Sequence, residues 1–151
     1  EAVSMLGDAL ESGKGFEKLK DMVRAQGGDP EALEDYSLLP VAKIKYEIKA
    51  EKDLYLSALH AEELGLGAMR LGAGRATKDD AIDLSVGIML NKKVGDFAHK
   101  DEVIATVYAN DENRLNEVLP DILSSIETSG EFVERPKLIY ALVSKNGIES
   151  F

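Results

Sequence analysis

Residues 71–83 read LGAGRATKDDAID: two glycines, two cations and the carboxylates Asp79, Asp80 and Asp83 within thirteen positions. Gly72 and Gly74 could let backbone N–H groups close on a phosphate, as glycine-rich loops do where they open a helix. Here the third glycine of a dinucleotide fingerprint is absent, Thr77 standing in its place. The glycines also follow a helical pattern, whereas a phosphate cradle presents its N–H groups at a helix N-terminus. Gly72 is therefore read as a helix cap, and no stand-alone phosphate site is expected. Arg75, Thr77 and Lys78 remain free to touch an anion brought by another domain. The three aspartates lack the alternating ligands and closing glutamate of a calcium loop, and read as a solvated turn.

Other chemistries find less support. His60 and His99 are far apart, and neither has a second histidine at helical ligand spacing, so no metal site is expected. His60 reads as a helix-entry residue and His99 as a hairpin-turn residue. The chain has no cysteine, hence no thiolate nucleophile, disulfide framework or cysteine-rich zinc site. No serine sits in a G-x-S-x-G elbow. On residue chemistry alone, nothing in the chain looks catalytic.

The 151 residues suit one domain with an appendage, and 44% hydrophobic content suffices for a core. A net charge of −10, from 28 acidic against 18 basic residues, disfavours nucleic acid and anionic membrane surfaces. No apolar run approaches the roughly 20 residues of a membrane span, and no secretory leader is visible. A cytoplasmic location is expected. The chain begins at Glu1 inside a helical pattern, so a piece of a longer protein is expected as well.

Periodicity places the elements that must carry these residues. Val3, Leu6 and Leu10 mark one amphipathic helix, and Phe16, Leu19, Met22 and Val23 a second that ends at Gly27, Gly28 and Pro30. Two short helices cannot make a core by themselves. From residue 42 the period becomes two: Ala42, Ile44, Tyr46, Ile48 and Ala50 alternate with charged residues, predicting a half-buried strand. A turn at residues 51–53, a strand over 54–59 and a short helix over 61–71 follow. Further strands are predicted over residues 84–90, 103–108 and 137–143. Asp111 is the expected N-cap of a last helix bearing Leu115, Val118, Leu119, Ile122, Leu123 and Ile126. Pro120, inside that stripe, predicts a kink or a helix starting at the proline. Strands and helices mingle without regular βαβ alternation, so the fold class is α+β.

Two stretches carry more specific signals. VGDFAHKDEVI, residues 94–104, resembles the V-G-D-x-V-x-x-G-x-x-L hairpin of biotinyl and lipoyl carrier domains, with Ala98 for its valine and Asp101 for its turn glycine. Residues 48–56 resemble the other half of that sandwich, A-P-x-x-G-x-V, with Glu51 and Leu54 replacing proline and glycine. The carriers' modified lysine sits at a tight hairpin tip, flanked by methionines when biotinylated. Lys92 and Lys93, between Asn91 and Val94, have no such setting. A non-catalytic carrier-like or interaction module is the alternative reading, and biotin or lipoate on either lysine would decide for it.

Taken together, ALESGKGFEKLKDMVRAQGGDP (residues 9–30), GAMRLGAGRATKDDAIDLSVGIMLNKKVGD (67–96), ATVYANDEN (105–113) and PKLIYALV (136–143) resemble the C-terminal part of pyrimidine-nucleoside phosphorylases, relatives of thymidine phosphorylase. The resemblance implies a hammerhead or barrel-sandwich C-terminal domain over residues 38–151. Residues 1–37 would then be the helical tail of a catalytic α/β domain and a linker. It also implies an enzyme, homodimeric when complete, that uses inorganic phosphate to split a pyrimidine nucleoside into free base and pentose 1-phosphate. That family's phosphate- and base-binding groups lie upstream of this sequence, so no catalytic group and no cofactor is expected here. In the family the loop holding Gly72, Gly74, Arg75, Thr77 and Lys78 lies near the active-site cleft. The resemblance thus implies a lid, with Arg75 as its contact residue, or a buttress of the domain interface.

Overall fold

The computed structural model describes residues 1–75 and 77–151, and the chain divides into two compact units, Glu1–Val41 and Ala42–Phe151. In the first, α1 (Ala2–Glu11) and α2 (Lys14–Ala25) meet at Gly13, whose φ of +74° suits glycine. α2 stops where Gly27 turns left-handed and Gly28 donates its N–H to Val23 C=O at 2.9 Å. Two 3₁₀ turns follow, Pro30–Leu33 and Tyr36–Leu38, capped by Asp29 and Asp35 through the N–H groups of Glu31 and Ser37. Neither α-helix of this unit has a fully buried residue, so the apolar stripes remain largely open.

The second unit is α+β, with strands β1 (Ile44–Lys49), β2 (Leu54–Leu59), β3 (Gly87–Leu90), β4 (Phe97–Ala98), β5 (Val103–Ala109), β6 (Ile126–Ser129), β7 (Ala141–Ser144) and β8 (Gly147–Ser150). Its helices are α3 (Ala61–Ala68) and α4 (Glu112–Ser124). All strand pairing is antiparallel, in the orders β1-β5-β3, β4-β2-β6 and β7-β8. The alternation in β1 does what a period of two requires. Ile44, Tyr46 and Ile48 lie opposite Ala109, Val107 and Ala105 on one face, while Lys45, Glu47 and Lys49 lie on the other. The core gathers Ile48, Leu54, Leu56, Ile104, Val107 and the α4 stripe of Leu115, Val118 and Ile122, with Leu64 and Leu71 arriving from the α3 side.

The two halves of this body interlock through their turns. Ala50 donates its N–H to Glu102 C=O at 2.9 Å and accepts that of Asp101 at 2.8 Å. Leu56 donates to Asp96 C=O at 3.0 Å and accepts from Gly95 at 2.8 Å. Asp53 caps the arrangement by accepting the Lys100 N–H at 2.9 Å. Asp101, which stands where the carrier hairpin has its turn glycine, takes φ +67° and is the one non-glycine residue with positive φ among the described residues. Aspartate pays less there than most side chains.

Several sequence expectations shift. The strand predicted over 84–90 starts at Gly87, because Asp83 and Ser85 spend their polar groups on a turn and Leu84 stays 79% exposed. α4 neither waits for nor starts at Pro120; it runs through it from the Asp111 cap, whose carboxylate accepts the Arg114 N–H at 3.0 Å. Pro120 and Asn116 are both exposed, so the carbonyl that loses its partner faces solvent. Ile126 belongs to β6 instead of the helix. The closing strand expected over 137–143 is β7, which starts at Ala141 and pairs with β8 alone. Among the described residues no helix is long and apolar enough to cross a membrane.

Candidate functional site

α3 does not stop at Ala68. It widens into a π-helical turn, Met69–Ala73, and leaves the helix at Gly72, where φ +116° and ψ 0° require glycine. Gly74 is extended, and a Cβ there would come within 3.0 Å of Met69 Cγ, so the backbone lies tight on that side chain. The expected cap at Gly72 is thus present, built on a wider turn than a plain α-helix end.

The loop is drawn shut at its base. Gly72 C=O accepts the Asp83 N–H at 2.9 Å. The Asp83 carboxylate accepts the Ser85 hydroxyl at 2.6 Å, the Ser85 N–H at 3.0 Å and Asn110 Nδ2 at 2.7 Å. Asn110 also donates to Ser85 Oγ and accepts the Lys43 N–H at 2.8 Å. These donors, the Ser85 hydroxyl first, hold the Asp83 carboxyl below the ordinary carboxylate range. Arg70 fastens the π turn to α4 with Nη2 at 2.8 Å from Glu117 and Nη1 at 2.6 Å from Asp121. Both carboxylates raise the guanidinium further, Glu117 most.

Within the loop, Thr77 and Asp80 form a closed turn. Asp80 accepts the Thr77 N–H at 2.8 Å and its hydroxyl at 2.9 Å, and returns its own N–H to Thr77 C=O at 3.2 Å. The hydroxyl of Thr77 is therefore already engaged. Arg75 and Lys78 are exposed, and among the described residues neither side chain has a hydrogen-bond or ion-pair partner. Of the five loop residues singled out, two glycines shape the path, Thr77 locks a turn, and the two cations face outward.

A depression of about 390 Å³ lies beside the loop, lined by Met69, Arg70, Gly72, Gly74, Asp80, Ala81 and Arg114. Arg114 was missed from sequence. Its Nη1 lies 3.9 Å from where a Cβ on Gly72 would be, a contact between loop and helix that no local pattern announces.

The histidines are occupied elsewhere. His60 opens α3 and places Nε2 2.7 Å from Glu127, whose carboxylate raises the imidazole above its usual value. His99 sits in the turn before β5, its N–H donated to Glu102. Lys92 is bound to Phe97 C=O at 2.9 Å and to Glu102 at 2.6 Å, far from the free tip a carrier lysine needs.

Residues 55–129 match the profile of the family described as "Pyrimidine nucleoside phosphorylase C-terminal domain". The chain is 44% identical over 145 residues to the pyrimidine-nucleoside phosphorylase of Bacillus subtilis, covering 96% of this chain and 33% of that protein. It is 42% identical over 144 residues to that of Geobacillus stearothermophilus, covering 95% and 33%. For the Staphylococcus haemolyticus protein the identity is 41% over 145 residues. The chain spans about a third of the length of the curated relatives it matches.

Proposed function

We propose, for a chain that belongs to the pyrimidine-nucleoside phosphorylase family and carries its C-terminal portion, that it serves an enzyme transferring a pentose from pyrimidine to inorganic phosphate. Phosphate attacks the anomeric carbon, the base leaves, and the positive charge building on the sugar is met by groups in the remaining two thirds of the polypeptide. The present part closes the domains and supplies a lid from residues 72–78. Residues 38–151 form the family's barrel-sandwich domain, and residues 1–37 the helical end of the catalytic domain. The complete enzyme is a homodimer acting in the cytoplasm.

The observation that carries the lid reading is the contrast within one loop. Its base is tied by Asp83 and its turn by Asp80, while Arg75 and Lys78 are exposed and without partners among the described residues. A guanidinium held out on a fixed base reaches an anion or carbonyl across a cleft only when domains close. In the full-length enzyme Arg75→Ala is expected to lower kcat/KM about tenfold or more, with unfolding temperature unchanged. Normal kinetics with reduced stability would make the loop a buttress instead. The isolated chain is expected to release no uracil from uridine in phosphate buffer. Phosphate-dependent release abolished by a mutation within the chain would contradict that.

A further inference from the structure

The last strands of the chain pose a problem that the chain does not solve. β7 and β8 pair only with one another, and every residue of both is exposed. An isolated two-stranded hairpin is marginal in water. Here β7 carries apolar residues on both sides. Ala141 and Val143 face the same way as Ile148 and Ser150, while Tyr140, Leu142 and Phe151 face the other, which Glu149 shares from β8. Residues 138–143 read Leu-Ile-Tyr-Ala-Leu-Val without a polar interruption. Half-buried strands alternate; unbroken apolar runs belong to strands covered on both faces.

The free edge is also defined. Phe151 donates its N–H to Tyr140 C=O at 3.0 Å, which makes residues 140 and 151 a bonded pair and, two steps on, 142 and 149 another. Ala141 and Val143 therefore direct their N–H groups away from β8. The segment leading here is anchored: Arg135 pairs with Asp96 at 2.7 Å, and its backbone lies where a Cβ on Gly95 would come within 2.8 Å. The strand is thus presented from a fixed point.

We propose that β7 is a strand of a sheet whose other strands lie in the part of the full-length polypeptide outside this chain, which pairs with the free β7 edge and covers both of its faces. The occupant follows from length: relatives align with 96% of this chain yet are about three times as long, so each aligned domain sits beside a much larger body of polypeptide. β8, reading Gly-Ile-Glu-Ser, is the outer strand, with Glu149 turned to water. This rests on family size and not on the lid role of residues 72–78, and the two fail separately.

The test compares amide exchange in the 151-residue chain and in the full-length protein, followed by mass spectrometry on peptides covering residues 139–150. Ala141 and Val143 should exchange freely in the chain and at least about a hundredfold more slowly in the full-length protein. Val143→Lys should leave the unfolding temperature of the chain unchanged and lower that of the full-length protein. Equal, fast exchange in both would overturn the proposal. So would protection in the isolated chain that grows with its concentration, which would name a second copy as the occupant. A reading frame that adds no further polypeptide would do the same.

Discussion

α3 contains two glycines two positions apart, and the structure assigns them opposite fates. Gly65 is exposed, and a Cβ added there meets nothing within 4 Å. Gly67 is buried against α4, and its Cβ would lie 2.9 Å from Ile122 Cγ1 and 3.4 Å from Ile122 Cδ1. Ile122 has no solvent exposure and cannot swing aside. Replacing either glycine with alanine gains the same helix propensity and loses the same unfolded-state freedom, together about 0.5–1 kcal/mol of stabilisation. Gly65→Ala should keep that gain. Gly67→Ala must set against it an overpacking cost of about 1–3 kcal/mol, leaving it neutral to about 2.5 kcal/mol less stable than the parent. The two variants should therefore differ by about 1–3 kcal/mol, or roughly 0.5–2 M in urea midpoint at unchanged slope. Ile122→Ala should absorb part of the Gly67→Ala penalty, giving a coupling of about 1 kcal/mol in a double-mutant cycle. Equal midpoints for the two alanine variants would refute the packing of α3 on α4. With it would go the route by which Arg70 and the π turn hold the loop.

Gly72→Ala separates backbone strain from crowding, since its Cβ would meet Asp83 Cβ and Val86 Cγ2 at ordinary distances of 3.6 and 3.7 Å. Only the φ of +116° is penalised, so urea unfolding should show a loss of about 0.5–2 kcal/mol. Asp101→Gly relieves a left-handed residue while keeping the N–H bond to Ala50, and calorimetry should find a gain of a few tenths to about 1 kcal/mol. His60, raised by Glu127, contributes stability that is fully present below its unfolded value near 6.5 and is lost as pH rises through the higher folded value. The unfolding-temperature difference between parent and His60→Gln should accordingly shrink from pH 6 to pH 8.5; a difference that grows over that range would reverse the assignment. The effect will be small, because both partners are exposed.

What could be read from sequence was what local chemistry dictates. β2 showed itself over residues 54–59, Asp111 announced the start of α4, and Gly72 announced the end of the helix before it. β4 has two residues, too few to display any period. β6 was hidden because Ile126 continues the spacing of Ile122 and so mimics one more helical turn. The loop's cations were legible as types and positions. Its anchoring was not, since Asp83 meets Asn110 and Arg114 meets Gly72 only after α4 has packed. Pairings of that kind are facts of tertiary distance, and periodicity does not encode them.

The interlocked turns bear on how this polypeptide leaves the ribosome. Translation delivers the N-terminal side first, yet β1 needs β5 and β2 needs β6. β2 must therefore remain unpaired until β4 at residues 97–98 has been synthesised, its other edge until residue 129, and β1 until residue 109. No hairpin between neighbouring strands can shelter them earlier, because β1 and β2 belong to different sheets. Closure waits for distant segments and is slow for that reason. During that wait the nascent strand is a hazard for self-association. The charges that bracket it, Glu51, Lys52 and Asp53 before and Glu62 and Glu63 after, keep an open β2 soluble until its partners arrive.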